Sequence, residues 1–486
     1  MNLKVQAARG LKWQITEIVG RQVISLLVFS LLARMLEPSM FGLVGLVTVY
    51  SAFTGTLADQ GVSTALVQRR HLEPGHLNAA FWFSMGCAAL LWLATVVLAT
   101  PISRFLGETN LAPLLQWSSL GLVVTAMSGV HMALFVKAID FRRPAIRTII
   151  SNVVGGAVAL VLAWRGAGVW ALVVQQLVAA VAGAIFLWSA SSWRPGLQFS
   201  GVQMKELLVA GSAIFVPGLL WFFASQLDQI VIGRVVGVTL LGQYVVGAKL
   251  PILLRMAILQ PVTNVSTPVL STLQDDHPRM CQTIYNAMEL NALVAFPAFI
   301  GLACVAPDVV TLIFGEQWEP AAKFMRWHAL YNLAYGLQIF IFPAMLIAGG
   351  RKLYVLAFCA LAAGAALACF VGIQFGPQVV TAGLVVNLIV MGTINIIMMQ
   401  RRIGLSLPRY LKPCLGPATA ALVMAAVVLA THAMMGSHLP VMVRLMIEIL
   451  AGAAAYLGAL LLTAPEGMTR LWQFTSHALV ARPKAE

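Results

Sequence analysis

The chain has 486 residues, 60% of them of the types A, V, I, L, M, F, W, Y and C and only 10% charged, with a mean hydropathy of +0.88. That composition excludes an ordinary soluble protein. The 31 Lys and Arg against 17 Asp and Glu give a formal charge of +14, but so apolar a chain excludes a soluble nucleic-acid binder, and no nucleic-acid partner is expected.

A membrane helix needs roughly 20 mostly apolar residues, so about fourteen helices would use about 280 residues, close to the number of apolar residues present. The apolar runs are too long and continuous for the roughly ten-residue alternating strands of an outer-membrane barrel. The expected fold is an all-α integral membrane protein of the inner-membrane type.

In chain order, apolar runs between charged or Pro/Gly-marked breaks predict helices near 12–36, 40–66, 78–101, 111–136, 148–164, 169–190, 208–234, 240–268, 286–313, 326–349, 354–374, 379–399, 414–434 and 441–463. Lys4, Arg9 and Lys12 precede the first run. That run contains Glu17 and Arg21 and lacks a small-residue cleavage site, so it reads as a retained helix and not a signal peptide. With the N-terminus inside, the inside loops are 67–77, 137–147, 191–207, 269–285, 350–353, 400–413 and the tail from 464. Together with the N-terminus they hold 21 Lys/Arg, against six outside: Arg34, Arg104, Arg165, Arg234, Lys323 and Arg326. The bias puts both termini in the cytoplasm. The remaining four, Arg21, Lys249, Arg255 and Arg444, lie within helices.

No connection is longer than about twenty residues and no GxxxxGK[ST] occurs, so no ATPase on this chain drives transport. The longest outside loop, around 314–325, is too short for an enzyme that builds glycans at the outer face. The six cysteines fall in or beside apolar runs with no CxxC and read as small core residues. His131, His328 and the other histidines form no ligand pattern, so no metal and no cofactor are expected.

ARMLEPSMFGLVGL from Ala33 and GRVVGVTLLGQYVVG from Gly233 match at an offset of 200, pairing Arg34 with Arg234 and Gly42 with Gly242. The repeat unit contains six helices, an even number, so both halves insert in the same orientation about an axis along the membrane normal. This predicts an N-lobe at 1–200, a C-lobe at 201–412, two further helices at 413–463 and a cytoplasmic tail at 464–486. Two lobes across a cavity suit alternating access.

An ionisable side chain inside a membrane helix is costly unless paired or wetted, which makes the few present the candidates for function. Glu17 and Arg21 are four apart on one face, with Arg21 roughly 13 Å in from the cytoplasmic end. Folding the first hairpin about residue 38 brings Asp59 level with Glu17. The Glu17, Arg21 and Asp59 group is either a self-neutralised structural cluster or a substrate or coupling site. Folding the second hairpin about residue 238 sets Asp228 beside Lys249 and leaves Arg255 about 9 Å deeper without an obvious partner. An unpaired Arg there points to an aqueous cavity holding an anion, unless a carbonyl or Gln serves it. Arg444 and Glu448, four apart, read as a private ion pair. Pro217, Pro251, Pro261, Pro297 and Pro343 permit bends. Gln175, Gln176, Gln226, Asn264, Asn291, Asn332, Gln338, Asn387 and Asn395 either join helices or line a cavity.

Six segments in order, LARMLEPSMFGL (32–43), LADQGVSTALVQRR (57–70), FRRPAIRTIISNVVGG (141–156), GAGVWALVVQQLV (166–178), LDQIVIGRVVGVTLLGQYVVGAKL (227–250) and LQDDHPRM (273–280), resemble the Wzx-type oligosaccharide-lipid flippases. The likeness is to the colanic-acid exporter subgroup of the polysaccharide transport family, within the multidrug/oligosaccharidyl-lipid/polysaccharide exporter superfamily. It runs from about residue 9 to residue 355. The resemblance implies two six-helix lobes plus two terminal helices. It also implies export of polyprenyl-diphosphate-linked sugar repeat units to the outer leaflet of the bacterial inner membrane, for O-antigen, capsule or exopolysaccharide synthesis. On that reading Arg21, Lys249 and Arg255 hold the diphosphate, and Glu17, Asp59 or Asp228 couple transport to an ion gradient. Membrane lipid and the polysaccharide polymerase or export machinery are the other expected partners. The rivals are a multidrug antiporter, a peptidoglycan-precursor flippase and, from a different class, a membrane glycan polymerase or ligase.

Overall fold

The computed structural model describes residues 3–69, 71–435 and 439–463, and all their regular structure is helical. Fourteen helical stretches are long and apolar enough to cross a membrane, as the hydropathy predicts. Inside a bilayer the backbone must satisfy its own hydrogen bonds, which leaves apolar runs of this length no alternative to helix. The tail from 464, Arg70 and the side chains of Lys4, Arg9, Lys12 and Asn264 lie outside the described residues.

In the first half the helices are α1 (Leu3–Met35), α2 (Pro38–Asp59), α3 (Val62–Gln68), α4 (Pro74–Leu106), α5 (Leu111–Lys137), α6 (Arg142–Trp164), α7 (Trp170–Ala190), α8 (Gly201–Val235) and α9 (Val238–Thr272). The second half continues with α10 (His277–Cys304), α11 (Ala306–Phe314), α12 (Ala321–Gly336), α13 (Ile341–Ala344), α14 (Gly350–Gly372), α15 (Pro377–Ile403), α16 (Leu407–Met435) and α17 (Val441–Thr463). The sequence explains several boundaries. Pro38 and Pro74 open α2 and α4, where a missing N–H costs nothing. Ser200 and Asp276 cap α8 and α10 by accepting from the backbone N–H groups of Gln203 and Arg279. Gly107 and Gly404 end α4 and α15 in the left-handed region. The run predicted at 40–66 is broken by Gln60 and Gly61, both at positive φ, into α2 and α3.

The chain forms two compact units, Met1–Val245 and Val246–Glu486. In the first, α1 packs along α6, α6 on α7, and α5 on α2, α4 and α7, while α8 lies against α2, α3 and α4. Val19, Val23, Leu27 and Leu31 form an exposed stripe at a spacing of four on α1. A continuous apolar stripe of this kind is a lipid-facing surface in a membrane protein. Glu17, Arg21 and Val28 share the other face, and Val28 meets Gly156 of α6.

In the second unit α10 contacts α12, α15, α16 and α17, with α16 against α17 and α14 against α15. Amide side chains join these helices: Asn291 donates to the Gly336 carbonyl, Gln338 to Leu388 and Asn387 to Leu361. Those three act as joints between helices. Pro343 sits in the short α13, followed by a π-turn at Met345–Gly349.

Candidate substrate groove

The first unit does not assemble the expected Glu17, Arg21 and Asp59 cluster. Glu17 Oε1 accepts a hydrogen bond of 2.9 Å from Thr148 Oγ1 on α6, which also lies 3.0 Å from the Pro144 carbonyl. Asp59 accepts the backbone N–H groups of Gly61 (3.2 Å) and Ser63 (3.3 Å), and so serves the turn into α3. Among the described residues no ion pair includes Glu17, Arg21 or Asp59. The reason is rotational. Counting residues along a straight hairpin gives depth, but the face of α1 that carries Glu17 and Arg21 is turned to α6, and α2 stops at Asp59.

Asp59 borders a cavity of about 110 Å³ that is also lined by Ser63, Ser84, Thr125 and Gly129. A second cavity of about 370 Å³ shares Ser63, Thr125 and Gly129 with it, so the two lie side by side. Thr64, Ser128 and Arg147 add its remaining polar lining, against Val67, Met132, Val136 and Leu187. The groove therefore carries one carboxylate at one end, one guanidinium at the other and hydroxyls between.

Arg147 is the residue that the sequence reading missed, having counted it among the charges of the 137–147 loop. It stands in α6, which begins at Arg142, next to the Thr148 that binds Glu17, and the Glu17 charge acts on it. Among the described residues Arg147 Nε is buried without a hydrogen-bond partner, as is the nearby Ser151 Oγ. Gly183 of α7 makes room for both, since a Cβ there would lie 2.7 Å from Arg147 Nε and 2.8 Å from Ser151 Oγ. A cation with an unused donor beside a hydroxyl-lined groove can bind an anionic group of a ligand. The available signal was Pro144, which favours a first helical turn and moves the start of this helix upstream of 148.

Asp228 is buried and accepts from the Tyr244 hydroxyl and, at 2.8 Å, from the Gln229 backbone N–H. It enters no ion pair among the described residues, so a phenol takes the place of the ammonium partner expected from Lys249. Tyr244 lies one turn before the level reached by straight counting, and its ring spans the difference. In the second unit Arg255 of α9 lies with Cζ 5.1 Å from the centre of the Tyr335 ring on α12. A ring face attracts a guanidinium without neutralising it. Among the described residues the cation–π contact with Tyr335 is the partner recorded at Arg255. Lys249 is half-buried on α9, between one and a half and two turns before Arg255.

The expected Arg444–Glu448 pair is also replaced. Arg444 binds Asp308 of α11 through two hydrogen bonds, and Glu448 binds His432 of α16 at 2.7 Å.

Comparison with known proteins agrees with this architecture. The chain is 26% identical over 313 residues to the succinoglycan biosynthesis transport protein ExoT of Rhizobium meliloti (strain 1021), covering 64% of this chain and 63% of that protein. It is 26% identical over 326 residues to the lipopolysaccharide biosynthesis protein WzxC of Escherichia coli (strain K12), covering 66% and 65%. The matched part thus spans just under two thirds of those two relatives. With the teichuronic acid biosynthesis protein TuaB of Bacillus subtilis (strain 168) the identity is 24% over 479 residues, covering 96% of this chain and 97% of that one. The fold is similar to that of a solved structure of the lipid II flippase MurJ, with a TM-score of 0.76 at 14% identity over 94% of this chain and 99% of that one. An inward-facing MATE family transporter of the MOP superfamily matches with a TM-score of 0.64 at 15% identity, over 79% and 94%. The polysaccharide biosynthesis protein family matches residues 31–323, more than half of the chain. This multi-pass bacterial membrane protein, as its motifs implied, belongs to the polysaccharide biosynthesis protein family.

Proposed function

We propose that the chain is a flippase that carries polyprenyl-diphosphate-linked oligosaccharide repeat units across the bacterial inner membrane by alternating access, for O-antigen, capsule or exopolysaccharide synthesis. The observation that carries this reading is the family match over residues 31–323 on a fourteen-helix exporter fold. The likeness to the lipid II flippase is one of fold, whereas the sequence relatives are named for polysaccharide export. The chain is a carrier and not a glycan-transferring enzyme. Its termini lie in the cytoplasm, where Lys and Arg are concentrated. Repeat-related lobes at 1–200 and 201–412, followed by two further helices at 413–463, alternate between facing states, and the polysaccharide polymerase or export machinery receives the product.

In this reading a diphosphate is drawn by Arg21, Lys249 and Arg255, joined by Arg147 in the groove of the first unit, while the polyprenyl tail stays in the bilayer. Hydroxyls of Ser63, Thr125 and Ser128 suit the sugars. Glu17, Asp59 and Asp228 are the carboxylates available for coupling to an ion gradient. A carboxylate that changes its charge changes which facing state is lower in energy.

The test compares lectin accessibility of the lipid-linked glycan on intact spheroplasts with and without the gene, at matched total lipid-linked glycan. Loss of the gene should trap the glycan inside, and Arg255→Ala at normal protein level should reproduce most of that loss. Unchanged accessibility, in cells where no other flippase compensates, would remove the substrate assignment. Full export by Arg255→Ala would remove Arg255 from the anion site.

A further inference from the structure

Away from the groove, the second unit brings together a nitrogen and carboxylate constellation that the transport reading leaves unused. Asp308 lies in the first turn of α11, His432 in the last turn of α16 and Glu448 about two turns into α17. One ligand atom from each lies within 4.8 Å of the other two. His432 Nδ1 is 2.7 Å from Glu448 Oε1 and 3.9 Å from Asp308 Oδ2. Arg444 holds Asp308 from the far side, with Nε donating to Oδ2 at 2.6 Å and Nη2 to Oδ1.

The ligand atoms converge from three different helices, and both carboxylates are buried, Asp308 4% and Glu448 1% exposed, while the imidazole between them is open on one side. Cys304 at the end of α10 is near enough for Glu448 and for Arg326 of α12 to act on it.

We propose that Asp308, His432 and Glu448 form a binding site for one divalent transition-metal ion of the zinc or manganese kind. One imidazole nitrogen and one oxygen from each carboxylate supply three ligands, and water takes the open position. The nitrogen donor favours such an ion over Mg²⁺ or Ca²⁺, which take oxygen shells of six or more. Bonds of about 2.0–2.2 Å to nitrogen and oxygen ask Glu448 to draw back slightly and Asp308 to close in. Both are side-chain adjustments. The ion replaces whatever proton His432 Nδ1 shares with Glu448. Arg444 keeps its place as the group that orients the Asp308 carboxylate, the usual role of a partner outside the ligand set. The His432 side chain is 46% exposed and gives the ion a way in. A bound ion would fasten α16 and α17 to α11. The sequence hides this site because its ligands come from three separate helices, α11, α16 and α17.

The site does not depend on the transport reading, and its test uses no transport. The full-length chain is purified without a polyhistidine tag, stripped with EDTA, and titrated calorimetrically with ZnCl₂, MnCl₂ and CaCl₂. One saturable site per chain for Zn²⁺ or Mn²⁺, without a matching site for Ca²⁺, is expected. His432→Asn and Glu448→Gln should each weaken it by about tenfold or more. Co²⁺ bound to the unaltered protein should give the visible absorption of a low-coordinate nitrogen and oxygen site, which keeps the test open if a variant loses its helix content. No saturable binding up to about 100 µM, or equal binding by wild type and both variants, would overturn the proposal.

Discussion

Gly42 and Gly242, the residues paired by the 200-residue repeat, face one another at the starts of α2 and α9. A Cβ on Gly42 would overlap the carbonyl oxygen of Val238, and a Cβ on Gly242 would overlap that of Pro38 and approach the nitrogen of Gly42. The contact is reciprocal, as a local twofold requires: each glycine meets the carbonyl four residues before its counterpart. Substituting either by alanine should force the two helix starts apart and cost about 1–3 kcal/mol, the usual range for overpacking a close contact. Thermal melting of the purified protein measures this. The double variant should cost less than the sum of the singles, because the first substitution already opens the space. Additive losses would mean that the two glycines act independently.

Gly183 and Arg147 give a second prediction, now for the groove. A methyl group at 183 would press on Arg147 Nε and Ser151 Oγ, with no backbone in the way. The guanidinium must then swing, at little cost to folding. Gly183→Ala should therefore lower outward delivery of the lipid-linked glycan while leaving protein level and melting temperature nearly unchanged. Arg147→Ala should do the same more strongly. Normal delivery in both would exclude Arg147 from substrate binding.

The fourteen helices were legible because each carries a long apolar run, although Gln60 and Gly61 break the run at 40–66 and Val305 divides the one at 286–313, and the Gly42 and Gly242 pairing was legible because a repeat leaves a fixed offset. What was not legible depends on rotation and on distant partners. Glu17 and Arg21 share a face in the sequence, but only the packing of α1 on α6 decides that Thr148, and not Asp59, meets Glu17. Arg147 was hidden by a helix start placed at 148, although α6 begins at Arg142. The four-residue spacing of Arg444 and Glu448 suggested a pair, yet Asp308 and His432 approach from other helices and take them separately. Spacing along one helix sets which groups could pair. The neighbouring helices decide which do.

A third prediction concerns pH. Arg69 at the end of α3 donates to Glu206 Oε2 at 2.5 Å, and the buried His76 of α4 lies 3.4 Å from the same oxygen. Glu206 precedes the membrane-spanning part of α8, which begins at Phe215. The hydrogen bond from Arg69 and then that from His76 hold the Glu206 carboxyl below its ordinary value of 4.5. A carboxyl held down in the folded state contributes stability that is complete above the ordinary value and is lost as pH falls through the lowered one. The melting temperature of the wild type should therefore drop on acidification below about pH 4.5, and Glu206→Gln should lack that part of the drop. The two proteins should differ at pH 7 and converge in acid. The effect is small, because the pair is exposed and screened by salt. A constant difference at every pH would assign the loss to packing and not to the carboxylate.

The last prediction separates two roles of Asp228. Its carboxylate is buried, with Tyr244 and the Gln229 backbone as hydrogen-bond donors. Tyr244→Phe removes the phenolic donor and leaves the buried acceptor underserved, which should cost about 1–3 kcal/mol in melting experiments. Asp228→Asn keeps a carbonyl oxygen for Tyr244 and fills almost the same volume, so its stability cost should be smaller. That variant is also permanently uncharged. If Asp228 couples transport to an ion gradient, Asp228→Asn should deliver glycan at a rate that no longer responds when the gradient is collapsed, even though the protein folds. If delivery by the variant still rises and falls with the gradient as in the wild type, Asp228 is a structural acceptor for Tyr244, and Glu17 and Asp59 are left as the coupling carboxylates to test.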